Sequence, residues 1–159
     1  YREAIAEQPW LAIAHFNLGT LYLRRGETVQ AERSLLEAIG LDPAYFEARG
    51  NLAVLYLQKG HDQRAREQFE AAVQHAPEHP VALANLGTYY LNNGRPADAA
   101  RLLEQAVLRD PNYATAYANL ALAYLQLDRI DEARAHAQRA LRLAPNDATA
   151  RQVLEATRS

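Results

Sequence analysis

Cysteine is missing from this sequence, so disulfide bonds, thiolate nucleophiles and cysteine-ligated metals are excluded within the chain. Long apolar runs are missing too: none approaches the roughly 18 residues that a membrane-spanning helix needs, so direct membrane insertion is not expected. Neither sign of charge is in large excess, since 17 Lys plus Arg are scattered among 19 Asp plus Glu. Without a basic patch, nucleic acid is not an expected partner. None of these absences identifies a cellular compartment, so the localisation stays open.

Lysine is nearly absent as well, because Lys59 is the single lysine among the 17 basic residues. This preference for arginine, together with abundant alanine, indicates a GC-rich and therefore bacterial coding source. It carries no information about function. What the chain has in quantity is apolar side chains, 49% of its 159 residues, which is ample for the core of one globular domain.

Prolines are few, but their spacing is regular. Five of the seven lie 34 residues apart, and five further columns of residues repeat with the same spacing and without a gap. The prolines are Pro9, Pro43, Pro77, Pro111 and Pro145. The other columns are Leu18, Leu52, Leu86 and Leu120; Gly19, Ala53, Gly87 and Ala121; Tyr22, Tyr56, Tyr90 and Tyr124; Ala31, Ala65, Ala99 and Ala133; and Ala38, Ala72, Ala106 and Ala140. The chain is therefore built from a repeating unit.

Each repeat has the pattern of two helices joined by a tight turn. In the first segment apolar residues recur at i, i+3, i+4 and i+7, which is the spacing of an amphipathic helix. That segment stops at a residue able to adopt the left-handed conformation, which is Gly26, Gly60, Gly94 or, in the last repeat, Asp128. A second helical segment follows and ends before a proline. The repeat is predicted to be a helical hairpin, in which a Gly or Ala allows the two backbones to approach closely.

These columns resemble the tetratricopeptide repeat (TPR) family, whose 34-residue unit has the pattern W-x2-L-G-x2-Y, then A-x3-F, then P. In the first repeat Leu18, Gly19, Tyr22, Ala31 and Pro43 match it, and the next three repeats match at the same columns. The resemblance covers essentially the whole chain. It implies an all-α fold, a right-handed superhelical solenoid of stacked antiparallel helical hairpins.

The columns also give expected boundaries. Residues 1–11 fit the tail of a second helix from a truncated upstream repeat, so we expect the chain to be part of a larger protein. The last segment begins with a helix-capping Asn or Asp and carries Glu155 where Gly or Ala is expected, which suits the polar cap of a solenoid. The expected units are repeat 1 at 12–45, repeat 2 at 46–79, repeat 3 at 80–113, repeat 4 at 114–147 and a capping helix at 148–159.

An asparagine stands at the same place in every first helix: Asn17, Asn51, Asn85 and Asn119. At about 100° per residue it lies about 150 to 180° from the packing positions, so it faces away from the hairpin interior. The resemblance implies that this side lines the concave groove of the solenoid. The four asparagines together lower the stability of their helices by roughly 2 to 3 kcal/mol relative to alanine, and this loss favours a function for them. Their amides can grip a peptide main chain, and solvated asparagines inherited by duplication are the alternative.

The neighbouring positions on that outward arc are mostly neutral. They are Thr20, Val54, Thr88 and Leu122, then Arg24, Gln58, Asn92 and Gln126, then Ile13, Glu47, Val81 and Thr115. The small residues Gly50, Ala84 and Ala118 are expected on the same surface. Such a groove suits an extended segment with apolar and neutral polar side chains. In the loops between repeats the candidate rim contacts are Tyr45, His79 and Tyr113, which pack between adjacent repeats in the alternative interpretation.

A second groove chemistry of the family is absent at the matching positions. The resemblance implies that chaperone-adaptor members hold a C-terminal carboxylate with Lys, Asn and Arg side chains on successive first helices. Here the positions carry Phe16, Thr20, Val81 and Asn85. A carboxylate clamp is therefore not expected.

No other group of residues predicts catalysis, a metal site or a cofactor. His75 and His79 are four residues apart, but Pro77 interrupts the helix that would bring them to one face. No carboxylate pair or Ser/His/Asp group is enclosed by other elements, so we do not expect an enzyme.

Two classes of function remain from the sequence. The leading hypothesis is a scaffold that binds an extended peptide or partner segment in its concave groove through the asparagine column. The alternative is structural: self-association through the open N-terminal end, or docking as the arm of a multidomain assembly or enzyme. Because this fold hosts many unrelated roles, the partner itself stays open.

Overall fold

The computed structural model describes residues 9–158, and every helix or strand assigned in that range is an α-helix. The helices are α1 (Pro9–Arg24), α2 (Thr28–Leu41), α3 (Phe46–Gln58), α4 (Asp62–His75), α5 (Pro80–Asn92), α6 (Pro96–Arg109), α7 (Ala114–Gln126), α8 (Ile130–Leu143) and α9 (Ala148–Ala156). None of them is both long and apolar enough to cross a membrane. The predicted all-α fold, with two helices in each repeat, is confirmed.

The chain divides into two compact units, of which the first is Tyr1–Pro77. In this unit α1 packs against α2 and α3 against α4, and α2 also contacts α3, so that one hairpin is stacked on the next. The apolar columns of the repeat lie between the helices, where Leu35, Leu52 and Leu55 are completely buried. Each fully buried leucine of this kind stabilises the fold by about 1.5–3 kcal/mol.

The second unit is Glu78–Ser159 and has the same construction. Here α5 packs against α6 and α7 against α8, α6 contacts α7, and α9 packs against both α7 and α8. Its core includes the buried side chains of Leu83, Leu103, Leu120 and Val153, the last of which comes from α9. Leu103 and Leu120 stand at the columns of Leu35 and Leu52, so these two columns supply core residues in both units.

Glycine in the middle of a first helix allows the closest approach within a hairpin. A Cβ atom on Gly19 would lie 2.9 Å from Cγ of Leu35, and one on Gly87 would lie 2.9 Å from Cγ of Leu103. Separations that short force one of the two groups to move. The predicted close contact between first and second helices is therefore present in both of these hairpins.

The turns inside the hairpins have the predicted left-handed residue. The backbone angle φ is 74° at Gly26, 74° at Gly60, 68° at Gly94 and 60° at Asp128. In the last of these turns the backbone N–H of Arg129 donates to the carbonyl of Tyr124 at 2.9 Å, which satisfies one of the free carbonyls at the end of α7. The glycine turns carry the equivalent hydrogen bond.

The two ends of the chain relate differently to the expected boundaries. Most of the segment 1–11 lies outside the described residues, and its last residues belong to α1, which begins at Pro9. The boundary expected at residue 12 therefore falls inside a helix. At the other end α9 occupies the expected capping segment, and the side chain of Asp147 accepts a hydrogen bond from the backbone N–H of Ala150 at 2.8 Å. The repeat boundaries themselves stay predictions.

Candidate functional site

The asparagine column lies on the first helices α1, α3, α5 and α7, within the middle turns of each helix. Asn17 is exposed, and Asn51, Asn85 and Asn119 are partly exposed. An amide at such a position reaches solvent while one side of it still contacts protein.

In the first unit, Asn51 is held by a hydroxyl from the neighbouring first helix. Its Nδ2 donates to Oγ1 of Thr20 at 3.3 Å, across 31 residues of sequence. The hydroxyl of Thr20 in turn donates to the backbone carbonyl of Phe16 at 3.0 Å. Since α1 and α3 are in contact, this chain of two hydrogen bonds ties the surface of one repeat to that of the next.

The second unit repeats this arrangement. Nδ2 of Asn119 donates to Oγ1 of Thr88 at 2.8 Å, again across 31 residues, between the contacting helices α7 and α5. No side-chain hydrogen bond joins Asn17 or Asn85 to another residue in the range 9–158. The four asparagines therefore fall into two kinds, of which only Asn51 and Asn119 are held by a threonine.

Sequence reasoning placed both threonines on the outward surface but missed these hydrogen bonds. The signal was present, because a Thr stands three residues after the column position in the first and third repeats and is replaced by Val54 and Leu122 in the other two. It could not be interpreted without knowing that the two first helices within each unit are in contact.

The positions around the asparagines all reach the surface. Those that are exposed are Ile13, Arg24, Glu47, Val54, Gln58, Asn92, Thr115 and Gln126, and those that are partly exposed are Thr20, Val81, Thr88 and Leu122. In each unit the surface is thus mainly neutral, with Arg24 and Glu47 as the charged members of the set, both in the first unit.

The small residues that precede three of the asparagines do not belong to this surface. Gly50, Ala84 and Ala118 are buried, so the expectation that they contribute to the groove is wrong. One residue corresponds to about 100° around the helix, and that rotation is enough to turn the position from solvent into packed protein.

The three candidate rim residues are each the N-cap of the next first helix. The ring of Tyr45 lies 4.9 Å from that of Phe16, and burial raises the pKa of the Tyr45 hydroxyl. Burial raises the pKa of Tyr113 as well. Nδ1 of His79 accepts a hydrogen bond from the backbone N–H of Val81 at 3.3 Å. The ring contact gives Tyr45 a packing role, and the hydrogen bond gives His79 a local role as a helix cap. Contact of the three residues with a ligand stays a prediction.

A second surface distinguishes α1 from the other first helices. We call it the α1 face and define it by Ala14, Leu18 and Leu21. Leu18 is 39% exposed, whereas the equivalent leucines in repeats 2 and 4 are 0% exposed. Leu21 is 43% exposed, whereas the equivalent Leu55 is 0% exposed. Beside Leu18, between α1 and α2, there is a recess of about 310 Å³ that Arg33 and Glu37 help to line.

Neither surface has the groups that metal binding would need. Within residues 9–158 no cluster of three or more His, Cys, Asp or Glu side chains could hold a metal ion. The asparagine surfaces offer hydrogen bonds and apolar contact, and the α1 face offers apolar contact beside one basic and one acidic side chain.

The fold is shared with several solved structures. PilF of Pseudomonas aeruginosa is 26% identical, with a TM-score of 0.84 over 95% of this chain and 69% of that protein. YrrB, described as a TPR protein with an unusual peptide-binding site, is 24% identical, with a TM-score of 0.74 over 98% of this chain and 80% of YrrB. The second TPR domain of human RPAP3, solved with the HSP70 peptide SGPTIEEVD, is 24% identical, with a TM-score of 0.63 over 72% of this chain and 92% of that domain.

At the level of sequence, no curated protein gives a significant match. A family model does match: the tetratricopeptide repeat model covers residues 16–80 and again 84–148, which is most of the chain. The matched segments contain the Leu, Gly or Ala, Tyr and Pro columns of all four repeats. The protein therefore belongs to the tetratricopeptide repeat family.

Proposed function

We propose that this TPR protein is an interaction scaffold that binds an extended peptide through the asparagine-bearing surfaces of its first helices. The observation that carries the proposal is that each unit presents one amide, Asn51 or Asn119, that is held by a threonine through Nδ2 alone. The carbonyl oxygen Oδ1 and the second N–H of that amide are left for a ligand.

The chemistry of these groups favours a peptide main chain as the ligand. A main chain alternates N–H donors and C=O acceptors, and an amide can pair with one of each without reading the side chains. Val54 and Leu122, which are exposed and partly exposed, add apolar contact beside the amides. The preferred ligand is therefore an extended segment with apolar and neutral polar side chains.

The structural relatives support the class of ligand and not its identity. YrrB is described by its peptide-binding site, and the RPAP3 domain was solved with a peptide. At 24% identity each shares the fold with this chain, so their ligands indicate only what such a fold can hold. The positions of the carboxylate clamp carry Phe16, Thr20, Val81 and Asn85, so capture of a C-terminal carboxylate is not the proposed mode.

The proposal is tested by replacing Asn51, Asn85 and Asn119 together with alanine. The probe is a fluorescein-labelled peptide of about 12 residues, roughly 40 Å long when extended, selected from a random display library by the wild-type protein. We expect fluorescence anisotropy to show an affinity loss of about tenfold or more, because hydrogen bonds from three side chains are removed. Alanine forms helices better than asparagine, which offsets the loss of the two Thr–Asn hydrogen bonds. The thermal unfolding midpoint should therefore change little.

A matched control removes an amide from another part of the surface. Gln105 is an exposed residue of α6, and Q105A should bind the peptide as the wild type does. If the triple alanine variant also bound with wild-type affinity, the proposed function would be wrong.

The α1 face favours a second candidate function, which is self-association through the N-terminal end. Its apolar side chains are exposed although the equivalent residues elsewhere are buried. Arg33 and Glu37 lie one turn apart on α2 beside this face, so two copies related by a two-fold axis can place opposite charges against each other. The occupant would be a second copy of the chain.

Sedimentation velocity over a range of protein concentrations separates this candidate from the first. A dimer in the wild type that becomes a monomer in the L18E/L21E variant would support self-association. A wild-type protein that stays monomeric at the highest concentration would reject it.

A further inference from the structure

The geometry points to Thr20 and Thr88 as positioning residues of the peptide site, which set the direction in which Asn51 and Asn119 present their amides. The inference rests on the proposed function and says which asparagines carry most of the binding. Neither threonine needs to touch the peptide for this role.

The hydrogen-bond chain in the first unit decides the orientation of the amide. Because the hydroxyl of Thr20 donates its proton to the carbonyl of Phe16, its oxygen can only accept from Asn51. The group of Asn51 that faces it must therefore be the NH₂ group, as the 3.3 Å hydrogen bond requires. A flipped amide would bring Oδ1 against an oxygen with no proton to give. Thr20 thus selects the orientation in which Oδ1 is turned away from it.

In the second unit the amide of Asn119 has the same orientation at a shorter distance, while the hydroxyl of Thr88 donates to no carbonyl within residues 9–158. Nδ2 of Asn119 lies 2.8 Å from Oγ1 of Thr88, which is a hydrogen bond of good length. In both units Oδ1 is the atom that stays without a hydrogen-bond partner among the described residues. The two held amides therefore present the same acceptor, suited to a backbone N–H of an extended ligand.

Holding the amide before the ligand arrives changes the binding equilibrium. A free asparagine side chain loses rotamer freedom and one of its two amide orientations when it binds, and that loss reduces the affinity. For one side chain the effect is roughly two- to tenfold in the dissociation constant. Asn51 and Asn119 have already lost this freedom in the free protein, whereas Asn17 and Asn85 have no side-chain hydrogen bond in the range 9–158. We therefore expect N51A and N119A to weaken binding more than N17A and N85A.

The Thr–Asn hydrogen bond also has a purely structural interpretation, in which it only joins neighbouring first helices. The two interpretations differ in what a threonine variant does. If the bond only joins helices, its loss lowers stability and leaves the affinity of the folded protein unchanged. If it positions the amide, its loss lowers the affinity at temperatures where the protein stays folded.

The test is the T20V/T88V variant compared with T20S/T88S. Valine is compatible with this position, because Val54 occupies the same column in the second repeat. Serine keeps the hydroxyl. With the same library-selected labelled peptide as probe, we expect the valine variant to lose about tenfold or more in affinity and the serine variant to stay within about twofold of the wild type.

A second measurement reports on the amides directly. In two-dimensional ¹H–¹⁵N NMR spectra of the free protein, the side-chain NH₂ signals of Asn51 and Asn119 should shift in the valine variant and return in the serine variant. The signals of Asn17 and Asn85, which lie one turn from the substituted residues and have no hydrogen bond to lose within residues 9–158, should move less. A general loss of structure would shift all four pairs, so this pattern identifies a local effect.

The outcomes separate the inference from the function on which it rests. Wild-type affinity in T20V/T88V, combined with weak binding by N51A/N119A, would overturn the positioning role and leave the peptide site standing. Equal losses of affinity in the valine and serine variants would overturn it as well. Wild-type binding by N51A/N119A, or failure of the wild-type protein to select any peptide, would overturn the proposed function and this inference with it.

Discussion

Side chains at equivalent positions of the repeat have acquired different chemistry, and His136 shows how. Its ring lies 5.8 Å from that of Tyr117 and 5.3 Å from that of Tyr124, stacked on both. Burial there lowers the pKa of His136, although the nearby carboxylates of Glu104 and Glu132 act in the opposite direction. Burial and a hydrogen bond to Glu104 raise the pKa of Tyr124 to about 12. Both rings are therefore held in their neutral forms.

The neutral state of His136 predicts a pH dependence of stability. The unfolded chain takes up the proton near the ordinary value of 6.5, and the folded chain does so only at lower pH. Since the unfolded state then binds more protons, the free energy of unfolding should decrease as the pH falls from about 7.5 to about 5. Urea unfolding followed by circular dichroism across this range should show a shallower decrease for H136Q.

The glutamine is chosen because Gln68 stands at the same column, where it accepts a hydrogen bond from Arg49 at 3.1 Å. The variant H61Q, which removes an exposed imidazole, serves as the control. An equally steep decrease in the wild type and in H136Q would contradict the prediction.

At the scale of the helical hairpin, the turn between α7 and α8 is the one that departs from glycine. Asp128 has φ of 60° and keeps the hydrogen bond from Arg129 to Tyr124 that ends the helix. A residue with a Cβ atom is strained in this conformation by roughly 1–2 kcal/mol, and aspartate tolerates it better than most. The last hairpin thus keeps the same turn geometry at the expense of backbone strain at Asp128.

The variant D128G should therefore stabilise the protein. Removing the strain outweighs the greater freedom that glycine gives the unfolded chain, and a net gain of about 0.5–1 kcal/mol in the free energy of unfolding is expected. D128A, which keeps the Cβ atom and loses the polar group, should be less stable than the wild type. Equilibrium unfolding in urea measures both, and a D128G variant less stable than the wild type would show that the aspartate has a role beyond the turn.

The sequence predicts the helices and the turns between them, but it does not predict how the helices pack against one another. The helical hairpins and the left-handed turn residues were predictable, because they depend on periodicity and on residues close together in the chain. The burial of Ala84 and Ala118 was not, because only packing determines how far around a helix the contact extends. The hydrogen bond between Asn51 and Thr20 was not predictable either, because it depends on the distance between α1 and α3, which are separated in sequence by α2.

At the scale of the whole molecule, the chain comprises two compact units that are built from the same repeat but differ in which apolar surface is covered. In the first unit the α1 face is exposed, and in the second unit α9 buries Ala150 and Val153 against the rest of the unit. Each unit carries one threonine-held asparagine. A solenoid end that lacks a cap leaves apolar surface exposed, so α9 is expected to protect the second unit.

Deleting residues 148–159 tests this role of α9. Loss of the buried Val153 and Ala150 should lower the free energy of unfolding by about 2–4 kcal/mol and promote self-association through the uncovered surface of α7 and α8. Urea unfolding and sedimentation velocity measure the two effects. The V153A control keeps the helix and should lose roughly 1–2 kcal/mol without associating. A truncated chain that is monomeric and as stable as the full chain would mean that α9 is not a cap.

The sequence by itself determined the repeat, its two helices, the turn between them and the family, because each depends on residue types at fixed local spacing. It also determined that an amide recurs on the outward side of every first helix. Only the tertiary structure decided that Asn51 and Asn119 are held by threonines while Asn17 and Asn85 are not, that His136 is stacked between two tyrosines, and that Leu18 and Leu21 are exposed. The physical reason is that a repeated sequence gives each column the same local conformation, whereas its neighbours in space come from adjacent repeats and change from one repeat to the next.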